Sequence, residues 1–323
     1  MTTTKLEPGP PPMHDPQGIY SLGELARPAL HAMVGRSAEL FADPGAHARP
    51  LEHRQVGMLF TRSSTRTRTA FTSGVLRLGG APVSYGPHDL QTASGESLAD
   101  TGAILGMMLD LLVVRTAGPV AELRELSAHG GIPVINAMAA EEHPTQGICD
   151  LATIAMARGC VDGTRLLYIG EGNNTAVALA HGLSAYPGCE VTFVTPPGYG
   201  LPPGVLARAA QRGAASGTSL AEFHSMTRLP HAVDIVYTTR WQTTGTTKPD
   251  AGWRETFRPF FVNAALLARW PGALFMHDLP ACRGEEVAAE VLDGPASIAW
   301  PQARMKLASA MAALEWAAAI LPA

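Results

Sequence analysis

The stretch VGMLFTRSSTRTRTAF, residues 56–71, carries three arginines and six hydroxyl residues between two apolar segments, and no acid. Val56 to Phe60 is a short apolar run bounded by polar residues, which reads as a buried strand. Phe71, Val75 and Leu78 then recur at i, i+4 and i+7, the spacing of an amphipathic helix, and Gly79-Gly80 ends it. Arg62, Arg66 and Arg68, with Ser63, Ser64, Thr65, Thr67 and Thr69, therefore fall at a strand-to-helix turn. Free backbone N–H groups and the positive end of the helix dipole gather at such a turn. Hydroxyls add donors, and arginine adds a planar fork suited to phosphate. A basic first turn opposes the helix dipole, so the stretch reads as an oxyanion site rather than as a solvated cap.

Further apolar runs alternate with helical patterns along the chain: APVSY, LLVVR, IPVIN, RLLYIG, VTFVTP, VDIVYTT and ALFMH. That alternation predicts an α/β protein with parallel sheets. At 323 residues the chain is long enough for two domains. Ser21 and Glu24 read as a capping box for a first helix running to about Phe41. A boundary is expected after HPTQ (His143 to Gln146), where GICDLATIAMARG reads as a helix and LLYIG begins a new sheet. The first domain then spans 20–145 with an Ala-rich C-terminal helix, 303–323, packed back on it, and the second spans 146–302. Residues 1–19, rich in proline, read as a loosely held arm.

Composition narrows the function. A net charge of −4, an apolar fraction of 46% and a charged fraction of 16% describe a soluble globular protein with no footprint for nucleic acid or an acidic membrane. No signal peptide and no apolar run of membrane-spanning length is found. Cys149, Cys160, Cys189 and Cys282 lack paired metal-ligand spacing and read as free thiols in a reducing cytoplasm.

Ligands of open α/β sheets collect beyond the carboxyl ends of strands. Five polar clusters fall there: Arg115, HPTQ, GEGNN (Gly170 to Asn174), TTRWQ (Thr238 to Gln242) and HDLP (His277 to Pro280). Singly, each has an ordinary reading as a surface charge, a helix cap or a turn. GEGNNT fits a dinucleotide fingerprint only until its last position, which makes a dehydrogenase a weak rival.

Together, STRTR, Arg115, HPTQ, GEGNN and HDLPACRGEEV resemble, in order and spacing, the aspartate and ornithine carbamoyltransferases, over about residues 20–320. The resemblance implies two doubly wound parallel-sheet domains joined by two interdomain helices, and a homotrimer with active sites shared between subunits. It implies that Ser64, Thr65, Arg66 and Thr67 hold the phosphate of carbamoyl phosphate, and that Arg115, His143 and Gln146 polarise and position the carbamoyl group. It implies no metal or organic cofactor.

Departures from the family cluster where the second substrate is read. In LQTASGES (Leu90 to Ser97), Gln91 matches an ornithine-type phosphate contact, but the usual lysine is absent near Gly95. Lys306 replaces an arginine expected near carbamoyl phosphate, keeping the charge and losing the fork. Asn174 matches an α-carboxylate contact. Thr239 stands where ornithine enzymes carry an acid, Thr243-Thr244-Gly245 replaces an S-M-G loop, and Asp278 replaces a cysteine, with Leu279 beside it. Arg240 and Gln242 resemble the aspartate-type pair that reads an amino acid. The pattern points to a carbamoyltransferase for a small amino acid, with a short diamino acid such as 2,3-diaminopropionate preferred. A divergent ornithine or aspartate enzyme and a non-catalytic ligand-binding relative are the alternatives.

Overall fold

The computed structural model describes residues 18–243 and 246–319, apart from the side chains of residues 92 and 93. The first unit carries α1 (Arg27–Ala42), β1 (Gln55–Phe60), α2 (Arg66–Arg77), β2 (Ala81–Tyr85), α3 (Leu98–Gly106), β3 (Leu111–Arg115), α4 (Val120–Gly130) and β4 (Val134–Asn136). Helix α5 (Pro144–Arg158) leads to the second, with β5 (Arg165–Ile169), α6 (Asn174–Leu183), β6 (Glu190–Val194), α7 (Val205–Ala214), β7 (Ser219–Phe223) and β8 (Ile235–Thr238). Three short helices follow, α8 (Trp253–Phe257), α9 (Ala264–Leu267) and α10 (Ala289–Leu292), with β9 (Leu274–His277) between the last two. The long α11 (Ala299–Ala318) returns to the first unit.

Both sheets are wholly parallel, in the orders β2-β1-β3-β4 and β7-β6-β5-β8-β9. β3 is buried at every residue, as expected of a parallel strand covered on both faces. Pro144 to Ile154 of α5 is likewise buried throughout, the mark of a helix enclosed on all sides. α5 packs on α1, α6 and α11, and α11 also reaches α2 and β9, so these two helices bind the domains together.

The strand order of each sheet reverses once, between β1 and β3 in the first and between β5 and β8 in the second. Crevices open at such switch points. Phe60 pairs with Arg115 across the first, and Ile169 with Thr238 across the second. The arginine turn, Arg115, GEGNN and TTRWQ thus all emerge at switch points.

Several expectations need correction. Ser21 and Glu24 do not cap α1. The helix starts at Arg27 behind Ala26, with a proline in its first turn and no side-chain cap, while the Ser21 hydroxyl turns to Glu142. Ile19 does not belong to a loose arm: it is fully buried and bridges Ile135; the rest of the expected arm, residues 1–17, lies outside the described residues. The C-terminal helix begins at Ala299, four residues earlier than expected. Strand β7 was unforeseen: SLAEF is an edge strand, half-buried and without a clear alternation.

Candidate active site

One cleft of about 280 Å³ collects Ser63, Ser64, Thr65, Arg66, Thr67, Arg115, Met138, His143, Gln146, Asn173, Asn174, Thr175, Thr239, Arg240, Thr243, Asp278, Leu279, Pro280 and Lys306. Of the three arginines at the turn, only Arg66 lines it. Arg68 lies over the Phe60 ring at 5.0 Å, and Arg62 and Arg68 face a separate hollow with Pro87. Arg66 opens α2, with Thr65 as its N-cap residue, and the Thr65 side chain caps nothing. The hydroxyls are therefore available to the cleft rather than spent on the helix end.

The cleft is cationic, and its cations are half-buried or buried. Burial lowers the pKa of Arg66, although the Asp278 carboxylate opposes the shift. Arg115 is 8% exposed, and burial, with the neighbouring Arg66 charge, brings its guanidinium down to about 10. Its Nε is buried with no hydrogen-bond partner. Burial also lowers Lys306, whose ammonium donates to Gln146 Oε1. Desolvated cations pushed together in this way favour an anion between them.

Behind the cleft, Asp150 Oδ1 accepts from Gln146 Nε2 and Gln302 Nε2, both at 2.7 Å, and Oδ2 accepts from the Tyr237 hydroxyl at 3.0 Å. Burial raises this carboxyl to about 7 against the pull of Lys306. These contacts fix the Gln146 amide, so that its oxygen faces Lys306 and the cleft.

His143 forms the N-cap of α5 without a side-chain capping bond. Arg115 Nη1 stands 3.3 Å from His143 Nε2, and the Thr145 hydroxyl stands 3.3 Å from Nδ1. Since a guanidinium can only donate, Nε2 accepts and the ring proton sits on Nδ1. Burial, then the Arg115 and Lys306 charges, holds the imidazolium well below its usual pKa. Ring ¹⁵N NMR should therefore show His143 neutral across the range where an ordinary histidine titrates, near ~6.5. Below that value the unfolded chain takes a proton that the folded one refuses, so this group costs stability as pH falls. A His143 resonance titrating near ~6.5 would contradict this assignment.

On the opposite wall, the Thr239 hydroxyl donates to Asp278 Oδ1 at 3.0 Å, and Thr175 Oγ1 donates to Oδ2 at 3.0 Å. Asp278 thus faces the cleft, hydrogen-bonded to the very threonine that stands in the acid's position. Arg240 lines the same wall, with a buried Nε that has no partner. Asn174 is present, but its amide nitrogen is taken by Ala139 O at 2.9 Å.

Two expected residues are not brought into the cleft. Gln242 turns away and donates to Thr246 O at 2.7 Å, because the chain after Trp241 bends back on itself. Gln91 sits exposed in a 3₁₀ turn, Gln91–Ser94, where its side chain accepts from Ser94. Met138 and Thr175 line the cleft without having been singled out, while Ser63, Asn173, Thr243 and Pro280 fell within stretches singled out but had been given no contact of their own. Asn173 is the N-cap of α6, a position asparagine favours; its Oδ1 accepts from the backbone N–H of Thr175 and Ala176. Gly172, beside it, permits the turn: a Cβ there would lie 2.3 Å from Leu201 N.

Two facing switch-point crevices, one lined by cations and hydroxyls, the other by a carboxylate and amides, make up a two-substrate transferase cleft. Residues 17–156 match the family described as aspartate/ornithine carbamoyltransferase, carbamoyl-P binding domain, and residues 162–317 match its Asp/Orn binding domain. Among similar proteins, the ornithine carbamoyltransferase of Symbiobacterium thermophilum is 38% identical, over 91% of this chain and 93% of that one. That of Methanothermobacter thermautotrophicus is 36% identical, over 82% and 88%. The structure of the Pyrococcus furiosus ornithine carbamoyltransferase superposes with a TM-score of 0.86 at 31% identity, covering 94% of this chain and 97% of that one. The chain belongs to the aspartate/ornithine carbamoyltransferase family, and it is a carbamoyltransferase.

Proposed function

We propose that the chain transfers the carbamoyl group of carbamoyl phosphate to one amino group of a short diamino acid, with 2,3-diaminopropionate the leading candidate. The observation that carries the acceptor reading is Asp278, held in the cleft by the hydroxyls of Thr239 and Thr175. Its carboxylate replaces the missing acid at Thr239 and would hold the ammonium that does not react, while Arg240 would pair with the acceptor carboxylate. Asn174 and Leu279 would complete the acceptor wall. The first unit, 20–145 with the C-terminal helix, would bind carbamoyl phosphate, and the second, 146–302, the acceptor.

The geometry supports the following chemistry. Ser64, Thr65, Arg66 and Thr67 hold the phosphate, with Lys306 adding charge. Arg115 and the Thr67 hydroxyl donate to the carbonyl oxygen as the neutral amine attacks and an oxyanion develops. His143, neutral and accepting from Arg115, orients that guanidinium. The Gln146 oxygen accepts from the carbamoyl NH₂. The C–O bond to phosphate then breaks, the departing phosphate takes the proton given up by the attacking nitrogen, and it leaves toward Arg66 with its charge matched. Positioning and fixed electrostatics supply the acceleration.

The relatives named ornithine carbamoyltransferase favour a second reading, ornithine as acceptor. Phosphate release from carbamoyl phosphate, measured with 2,3-diaminopropionate, L-ornithine and L-aspartate in parallel, separates the two. The proposal expects the highest kcat/KM with 2,3-diaminopropionate. Highest efficiency with ornithine would replace it.

We further propose a cytoplasmic homotrimer with shared sites. Gln91 stands outside its own cleft, and Met107 and Met108, just past the end of α3, are exposed at 76% and 68%. Exposed apolar side chains at the far end of α3 from the Gln91 turn suit a contact with a second copy of the chain that receives Gln91. Mixing Arg66→Ala chains with Gln91→Ala chains should restore activity in hybrid trimers, each of which can assemble an intact site. No recovery above the separate mutants would exclude a shared site.

A further inference from the structure

A second compartment of about 280 Å³ adjoins the cleft, sharing Met138, Asn173, Asn174 and Thr243, and continues to Glu171, Tyr199 and Lys248. Lys248 is unusual there. Its side chain is 3% exposed, and its ammonium lies 2.5 Å from Glu171 Oε1. It also lies over three rings, Tyr199 at 4.5 Å, Phe257 at 4.6 Å and Trp253 at 5.5 Å. Three π faces and one carboxylate together make a dry cation site, and the chain fills it with its own lysine.

The pair is tied to the cleft by a directed set of hydrogen bonds. Asn173 Oδ1 is committed to the N-terminal N–H groups of α6, so its Nδ2 must point outward. Nδ2 donates to Thr243 Oγ1 at 3.2 Å, and Thr243 Oγ1 donates to Glu171 Oε2 at 3.2 Å. Lys248 donates to the other Glu171 oxygen. Asn173 Nδ2 also reaches Thr239 Oγ1 at 3.5 Å, and Thr239 donates to Asp278. One branch of donors runs through Thr243 to the Glu171 carboxylate and the other through Thr239 to Asp278, with Asn173 at the fork.

We propose that Lys248, caged by Tyr199, Trp253 and Phe257, is a positioning residue for the acceptor site: it holds Glu171 so that Thr243 and Asn173 face the acceptor. The proposal rests on the acceptor occupying the wall of the cleft that carries Asp278. Removing the ammonium leaves Glu171 without its cation among aromatic faces, and the Thr243 and Asn173 donors lose their anchor. The phosphate-binding turn lies on the other sheet's side of the cleft and takes no part in these hydrogen bonds.

The test compares Lys248→Met, Lys248→Arg and Lys248→Ala with the wild type, using whichever amine of the three-acceptor panel the wild type uses best. Lys248→Met should raise the acceptor KM by roughly tenfold or more, with kcat within about threefold and carbamoyl phosphate affinity unchanged. Lys248→Arg keeps a cation against both Glu171 and the rings, and should restore most of the loss. In Lys248→Ala, added tetramethylammonium, which has no N–H to carbamoylate, should quench Trp253 fluorescence saturably and lower the acceptor KM. The wild type, with its cage filled, should show neither effect. An unchanged acceptor KM in Lys248→Met would overturn the proposal. So would a parallel fall in kcat, carbamoyl phosphate affinity and melting temperature that Lys248→Arg shares, which marks a merely structural role. If the wild type releases no phosphate with any panel amine, the transfer reading fails separately, and absence of saturable quenching in Lys248→Ala then removes the cage on its own.

Discussion

Arg66→Ala loses carbamoyl phosphate binding while the protein stays folded. Arg66 opens α2 at the point where the helix dipole already favours an anion, and it shares the cleft with Arg115 and Lys306. Its side chain makes no structural ion pair among the described residues, so the fold does not depend on it. Loss of one charged hydrogen-bonding partner costs about 1.5–3 kcal/mol, or roughly 10–150-fold in affinity, and a desolvated bidentate pair sits at the upper end. Removing Arg66 also relieves Arg115 of a like charge, since that charge helps to depress Arg115. The loss should therefore appear as weaker binding, with melting temperature equal or slightly higher. Calorimetric titration with carbamoyl phosphate decides it. Unchanged affinity in a folded Arg66→Ala protein would remove the phosphate assignment.

The second large effect is expected at Asp278. An ionised carboxylate beside an ammonium stabilises the charged amine, which cannot attack. Asp278 must therefore either hold an ammonium that does not react or take a proton from the one that does. The diamino-acid reading requires the first role. Asp278→Asn keeps the shape and the partners Thr239 and Thr175, whose hydroxyls can rotate, and removes the charge. The expected result is an acceptor KM raised roughly 10–100-fold with kcat and its pH profile little altered. Carbamoyl phosphate should bind as well or better, because Asp278 opposes the burial-driven shifts of Arg66 and Arg115 through its negative charge. A fall in kcat with a displaced pH profile would instead make Asp278 the base, and would favour a monoamine. Unaltered kcat, KM and acceptor preference would show that the carboxylate exchange has no functional meaning.

The first half of this site was legible in the chain because it is local. The arginine turn, Arg115 and HPTQ each lie within a few residues of a strand end, and their chemistry is in their own residue types. The Asp278–Thr239 contact was legible only as a pattern of exchanged residues; its distance depends on β8 and β9 being neighbours in the sheet. Gln242 was misplaced for a related reason. Residue type matched a reading function, but the chain beyond Trp241 folds back, and the amide is spent on Thr246. Thr244 and Gly245, taken as part of the loop replacement, lie outside the described residues. Ser21 looked like a cap, yet a buried carboxylate 121 residues away offered a stronger partner than a helix end. The Lys248 cage gave no local signal at all. Its lysine, its carboxylate and its rings come from four separate segments, and a single lysine in a polar loop reads as a surface charge.

If a site built on Arg66 transfers a carbamoyl group to an amine, the transferred carbon can be followed directly. Carbamoyl phosphate labelled with ¹³C at its carbonyl tests it when incubated with the protein and 2,3-diaminopropionate and followed by NMR. The label should move to a ureido carbon, with one phosphate released per ureido group formed, and Arg66→Ala should abolish both. Phosphate release without a ureido product, or ureido formation at equal rate with Arg66→Ala, would contradict the account.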